Sequence, residues 1–591
     1  AAPVASFTAS IDASNYLKIN IANTSVEEPG TSWFWEFGDG QTSTEKNPAS
    51  HSYSEAGTYT VTLRTFNTYG ESVATQEVEL GKYIFNSSET ANWESESNWN
   101  TSSLPDASAE VLIQGNAVIN TPVTVGGITV AAGKSLTVAA AGSLSADAIT
   151  LKSTATDGTA TFIDAGNASI SIVNVEQYLS GANGSTNRNH WYISSPVNDI
   201  TAQMFAPLNV NWLYYYNENT HSWSDDITNE SEYLSAGRGY VFANNGNDSV
   251  FTFSGNIRSG NVIVNVTRTG KQDLMRGYNL IGNPYPSYLE WDAVNKENVL
   301  PTIWTRSMQG TDMVFLTYNA EAEVGVPDET TEHIAPMQSF WVKVKPELAD
   351  SAGRSIIFSS SMRSHRQSGY GTLRTPQFND RQIIRLTLSN GIKADQAAIL
   401  FTDRASNALD DFDSEKMTAG NITLPEISTL AGSTWLAING LNAVSTDLEI
   451  PIGIKIGTAG EFTINANEIS NIAQTVILKD KLLDNEFTLT GGSTYQFTST
   501  TANNAERFSI IFRTPNDVSL IDEKPANIYI SGGKLIIENG QADAMVEIFD
   551  ILGRKLYEKT LNAQFSILNP QLQTGVYLVK IGNKTTKIIV K

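Results

Sequence analysis

The chain has 591 residues, of which 39 are Lys or Arg and 62 are Asp or Glu, giving a net charge of −23 and a sequence pI near 4.7. So acidic a surface repels phosphate backbones and anionic lipid heads, which sets aside nucleic acid and lipid as main partners. There is no cysteine, so disulfide frameworks, thiolate zinc sites and Cys nucleophiles are excluded. No apolar run is long enough for a membrane span, and the length suits about four domains.

Residues 1–82 form the first predicted unit. Ser32 to Phe37 reads as a strand stopped by Gly38-Asp39-Gly40, and Thr58 to Leu63 alternates, with Tyr59, Val61 and Leu63 on one side and threonines on the other. Trp35-Glu36-Phe37-Gly38-Asp39-Gly40, Asn47-Pro48, His51-Ser52-Tyr53 and Gly57-Thr58-Tyr59-Thr60-Val61 together resemble the PKD (polycystic kidney disease) domain. The resemblance implies a seven-stranded Ig-like sandwich that serves as a spacer or contact module rather than a catalyst. Trp33 and Trp35 share one face by spacing. A core role for that face is preferred over sugar stacking, and a turn-capping role for Asp39 over calcium binding. The opening Ala1-Ala2-Pro3 reads as a mature end left by signal-peptide removal or as an artificial start to the chain.

Residues 83–180 change texture. Short β-branched pieces, among them Val111 to Ile113, Ile128 to Val130, Leu136 to Val138 and Ile170 to Val175, alternate with Gly, Ala and Ser. Tiny strands with small turn residues predict the stacked rungs of a short β-solenoid, a flat sandwich being the alternative.

Residues 181–370 are aromatic-rich and carry a weak internal duplication. His190 to Pro196 pairs with Gly277 to Pro284, Ala236 to Phe242 with Ala335 to Val342, and Phe251 to Gly255 with Ile356 to Ser360, in the same order. Two related β-sandwich lobes are predicted. Trp212, Trp223, Trp291 and Trp304 are candidate glycan contacts through ring stacking, a core role being the alternative for each. This region also resembles the uncharacterised repeats that precede sorting domains in large exported proteins. Asp248-Ser249-Val250 and Asp350-Ser351-Ala352 resemble a bacterial O-glycosylation motif, making Ser249 and Ser351 candidate acceptors. Residues 371–516 are strand-rich again and predict a further β-sandwich, with Ala405 to Met417 outside its strands.

Residues 517–591 hold a linker and seven short apolar runs separated by turn formers, the pattern of a small Ig-like sandwich. Asp550 to Arg554 reads as a hairpin turn in which Gly553 supplies positive φ. Three pieces follow one another: Val546-Glu547-Ile548-Phe549-Asp550-Ile551-Leu552-Gly553-Arg554, Thr574-Gly575-Val576-Tyr577-Leu578-Val579-Lys580, and Lys587-Ile588-Ile589-Val590-Lys591. The ordered set resembles the C-terminal sorting domain of proteins exported by the bacterial type IX secretion system. By that resemblance Gly553, Gly575, Tyr577, Lys580, Lys587 and Lys591 carry the sorting signal. The glycines hold turns, and the Gly575–Lys580 strand presents an edge to the machinery. Implied partners are an outer-membrane translocon barrel and a shuttle barrel protein, with surface lipopolysaccharide or polysaccharide beyond them. The implied location is secreted, at the cell surface.

Catalytic patterns do not emerge. The five histidines, His51, His190, His221, His333 and His365, lack metalloprotease spacing, and neither a Gly-x-Ser-x-Gly elbow nor a phosphate loop occurs. Asp410-Asp411-Phe412-Asp413-Ser414-Glu415 lacks the glycine and distal glutamate of an EF-hand loop. A solvated loop suits it better than a calcium site, and an exposed loop suits Asp225-Asp226 better than a carboxylate pair. The sequence reading is therefore an all-β, elongated, multidomain chain of Ig-like and jelly-roll-like sandwiches with a short solenoid. It is expected to be a non-enzymatic adhesion or surface-structure protein without cofactor or metal. The alternatives are a polysaccharide-binding accessory protein and, third, a glycan-active hydrolase.

Overall fold

A computed structural model describes the chain apart from residues 13–14, 55–56, 81–82, 166, 184–188, 209–212, 226, 245, 270–273, 310–311, 349–352, 366–380, 419–423, 515–526, 532–533, 539–543, 562–565, 582–583 and 591. Strand accounts for 58% of the structure and helix for 3%, so functional side chains are held by sheet ladders or by the loops between them. Two compact units result: Ala1–Ile472 with Val476–Phe512, and Ala473–Thr475 with Arg513–Lys591.

The first module pairs a three-stranded with a four-stranded sheet over Trp35, Phe37, Tyr53, Val61 and Leu63. The two candidate tryptophans part company. Trp35 is fully buried, whereas Trp33 is half-buried under Lys46, whose Nζ lies 5.3 Å from its ring centre. Asp39 closes the turn by accepting from the Gln41 backbone N–H (3.0 Å) and lies 2.8 Å from His51 Nε2. Gly38 before it sits at φ +84, where a Cβ would come within 2.8 Å of the Thr60 backbone nitrogen. No other residue fits there.

From Tyr83 onward the chain coils. Each turn lays one strand in each of two parallel sheets. Buried aliphatics stack directly from rung to rung: Val111 over Ile128, Ile128 over Ile149, and Ile149 over Val173. Each such burial contributes about 1.5–3 kcal/mol, which explains why small residues occupy the corners and branched ones the ladders. The coil does not close at residue 180. Ser249–Gly255 adds to its last strand, Ala168–Leu179, in antiparallel sense, and one core runs from Phe85 through Val175 to Phe242 and Phe253. The solenoid and the first aromatic-rich lobe therefore share an interior.

The duplication is realised in register. Asn189–Ile193 pairs with Tyr240–Asn244, placing Ile193 opposite Tyr240. Tyr278–Gly282 pairs with Ser339–Lys343, placing Ile281 opposite Phe340. The two copies also exchange backbone bonds reciprocally: Ser194 N–H donates to Met337 O (2.8 Å) and Gly282 N–H to Gly237 O (2.9 Å). Gly237 and Met337, the equivalent acceptors, both adopt positive φ (68° and 60°).

Residues 382–513 form one eleven-stranded sheet that curls over a core including Ile384, Ile399, Ile452, Ile464 and Phe508. Inside it, Asp480 accepts from Arg507 Nη2 (2.8 Å) and from the Tyr495 hydroxyl (3.1 Å).

The second unit carries seven strands, Asn527–Ser531, Lys534–Glu538, Met545–Asp550, Lys555–Thr560, Ser566–Leu568, Gly575–Ile581 and Lys584–Val590, in a three-stranded and a four-stranded sheet. They enclose a core of their own, with Leu535, Ile537, Val546, Ile548 and Val579 fully buried.

Candidate functional site

The terminal sandwich begins with its hairpin. Asp550 accepts from the backbone N–H of Leu552 and of Arg554, both at 2.9 Å, and from Arg554 Nε at 2.7 Å. The Arg554 backbone N–H comes first among the causes that hold its carboxyl below the usual range. Gly553 takes φ +81 and returns its N–H to Asp550 O at 3.0 Å. This device pushes Ile551 and Leu552 outward, leaving them 74% and 75% exposed.

Two expectations about this module change. Gly575 is no turn residue: it opens the strand Gly575–Ile581, lies opposite Val590, and packs beside the Tyr577 ring. That strand is interior rather than an edge, since Met545–Asp550 and Lys584–Val590 flank it on both sides. The edges belong to Lys555–Thr560 and Lys584–Val590, because a sheet's end strands each leave one row of backbone groups unpaired. Alternation then sorts the side chains. Tyr577 points inward, buried, and donates its hydroxyl to Gln573 O at 2.8 Å. Val576, Leu578 and Lys580 point outward, with Val576 opposite Ile589 and Leu578 opposite the exposed Lys587. Lys580 lies 3.6 Å from Glu547, which also accepts from Lys555 at 3.0 Å. The outer face is therefore an apolar patch edged by lysines. Lys591 lies outside the described residues.

The tryptophans proposed as glycan contacts separate by burial. Trp291 and Trp304 are fully buried and donate their indole N–H groups to Pro301 O (2.7 Å) and Glu415 O (2.9 Å). They are core residues, so neither contacts a glycan. Trp212 lies outside the described residues. Trp223 is 40% exposed. It stands on a short hairpin opposite Tyr216 and packs edge-on against Tyr214, Tyr216 and Trp341, with ring centres 5.4, 5.4 and 5.8 Å apart. Arg306, which the sequence did not single out, lies 5.1 Å over the neighbouring Tyr192 ring.

Behind the same hairpin is a cleft of about 490 Å³ at the seam of the two lobes. Its floor is Glu218, whose carboxylate accepts from the Thr267 and Thr269 hydroxyls and from the Gly277 N–H (2.8–3.0 Å). The Arg238 guanidinium lies 3.7 Å over the Tyr215 ring at its mouth. Nothing in local spacing marked these groups, because Glu218 and Gly277 meet only through the lobe pairing.

Ser249 begins a strand, half-buried, and donates to Asn247 O. Its neighbour Asp248 is engaged by Tyr178, Gly181 and Asn183. Ser351 lies outside the described residues, as does Asp226, and Asp225 is an exposed loop residue. The acids at 410–415 are taken up by the protein's own donors: Asp410 by Ser406 and Phe412, Asp413 by Asp410 and Gly440, and Glu415 by Lys343. Burial raises the Asp413 carboxyl to about 6. Among the described residues no three His, Asp or Glu side chains converge as a metal site, and no helix is long and apolar enough to cross a membrane.

Three family profiles match successive parts of the chain. The PKD domain profile matches residues 1–81, and that of the secretion system C-terminal sorting domain matches residues 528–591. The pre-pro-metalloprotease PrtV of Vibrio cholerae is 41% identical over 78 residues, covering 13% of this chain and 8% of that protein. The likeness thus spans less than a tenth of PrtV. Among solved structures, the PKD1 domain of Vibrio anguillarum Epp is 37% identical, over 14% of this chain and 94% of that one, with a TM-score of 0.12. PorZ, a surface component of the type IX secretion system of Porphyromonas gingivalis, aligns at 12% identity over 60% of this chain and 56% of that one, with a TM-score of 0.14. The profile described as a domain of unknown function (DUF8693) matches residues 84–512, most of the chain. The chain belongs to the DUF8693 family, and its PKD domain and type IX sorting domain make it a secreted protein of the cell surface.

Proposed function

We propose that this type IX cargo is a non-enzymatic adhesion or surface-structure protein. The observation that supports the reading is the density of braces between successive modules of the first unit. Lys152 of the coil sits between Glu79 of the PKD module (2.8 Å) and Glu176 (2.9 Å). Burial disfavours its ammonium, but the two carboxylates outweigh that and hold its pKa above the usual range. His365 lies between the Thr137 and Thr161 hydroxyls of the coil (2.8 and 2.7 Å), and Arg363 donates to Asp164 O. Asn319 of the second lobe donates to Asp411 O (3.0 Å) and Asp413 O (3.2 Å) of the eleven-stranded unit. Such ties resist hinging. They suit a scaffold that holds its shape at a surface better than an enzyme that opens and closes on substrate. Surface attachment is the test: a strain lacking the gene should adhere less, and purified chain should compete with the wild type. Unchanged adhesion in both arms would sink the adhesive reading.

A second reading, a polysaccharide contact, is favoured by Trp223, the exposed one of the three candidates among the described residues. Trp223→Ala should leave the fold intact and abolish saturable binding on a glycan array. Binding that survives the substitution counts against it.

A further inference from the structure

The structure assigns Lys416 and Asp395 to a covalent cross-link: we propose that they condense spontaneously into an isopeptide bond inside the eleven-stranded unit. Three strands bring the parts together. Asp395 lies on Ala394–Phe401, Lys416 follows directly on Ser414–Glu415, and Glu426 opens Glu426–Ala431. Lys416 Nζ is 2.6 Å from Asp395 Oδ1, and the two side chains are only 8% and 15% exposed. Nζ also donates to Gln396 O at 3.1 Å, which fixes the amine beside the carboxyl carbon. The other carboxyl oxygen, Oδ2, accepts the Ile427 backbone N–H at 2.8 Å. That donor is placed where an oxyanion would develop during attack on Cγ. Glu426, with a side chain 5% exposed, is next to Ile427 and has Lys455 Nζ 3.1 Å from one oxygen. Burial raises its pKa, and both Asp395 and Lys416 act on its charge.

The chemistry balances within the site. Nζ gives one proton to the Asp395 Oδ1 that it already meets at 2.6 Å, and the neutral amine attacks Cγ of the resulting acid and forms the C–N bond. The tetrahedral oxyanion is held by the Ile427 N–H. The protonated Oδ1 then leaves as water, taking the second proton lost by nitrogen. An ammonium and a carboxylate become one amide and one water, with no oxidant, co-reactant or net proton change. Two factors drive it. Fixed juxtaposition replaces a bimolecular encounter with an intramolecular one, and the product removes a buried ion pair whose desolvation is costly.

Intact mass spectrometry of the folded full-length chain decides the matter. The expected mass is that of the sequence less one water, with fragmentation giving a branched peptide that joins residues 395 and 416. Lys416→Ala and Asp395→Ala should restore the full sequence mass. Asp395→Asn should give the same branched product with loss of ammonia in place of water. A wild-type chain at the full sequence mass overturns the proposal. So does a water loss that persists in Lys416→Ala, since it would mark dehydration elsewhere.

Discussion

Replacing His365 with Gln tests how the coil is fastened to the second lobe. His365 is held between two threonine hydroxyls, and burial, reinforced by the nearby Arg363 charge, pushes its imidazole down to about 4. Hydroxyls accept as readily as they donate, so the hydrogen bonds do not oppose protonation; burial and Arg363 do. The unfolded chain has the ordinary histidine value of about 6.5. The folded state therefore binds the proton more weakly, and its full stability is present above pH 6.5. Stability falls as the pH drops from 6.5 towards 4, because protons then favour the unfolded state. Linkage gives a loss of about 2 kcal/mol at pH 5 and about 3 kcal/mol once both states are protonated. Urea unfolding of the full chain, followed by tryptophan fluorescence at pH 7.5 and pH 5, measures it. The comparison of wild type with His365→Gln cancels the other titrating groups, and the variant should lose about 2 kcal/mol less than the wild type on acidification. Equal pH dependence in the two proteins would refute the assignment of His365 as a neutral, buried tie.

Asp480→Ala should cost about 3–5 kcal/mol, since it strands the buried Arg507 guanidinium; Asp480→Asn should cost less, and the urea midpoint distinguishes them. Tyr577→Phe removes the bond to Gln573 O and should lower the stability of the sorting domain by about 1 kcal/mol without altering its circular dichroism. Gly553→Ala places a Cβ at φ +81 and should cost about 1–2 kcal/mol, readable in a thermal melt, with export retained if the hairpin stays shut.

Legibility in the sequence followed the range of the interaction. The seven terminal strands stood out because alternation and turn residues act within a few positions, and Gly553 sits where the turn demands it. The paired His190–Pro196 and Gly277–Pro284 segments betrayed a duplication whose register the lobes keep. Burial was harder. Trp291, Trp304 and Trp223 look alike in sequence, but Trp223 stands partly exposed on a short hairpin, while the other two are buried and donate their indole N–H groups to carbonyls brought from elsewhere in the fold. Gly575 was misread for the same reason, since a glycine beside an aromatic strand resembles a turn until its partner strand is known. The merging of the coil with the first lobe was invisible because it depends on Ser249–Gly255 crossing back to Ala168–Leu179. Lys416 and Asp395 meet only through the curl of a sheet, so no local pattern announces them.

Deletion of Asn527 to Lys591, followed by cell fractionation and protease accessibility on intact cells, tests the central claim that the terminal sandwich directs the chain to the surface. The truncated chain should accumulate inside the outer membrane, protected from added protease, and regain the surface when the segment is restored. Truncated chain found at the surface in wild-type amount would contradict the account.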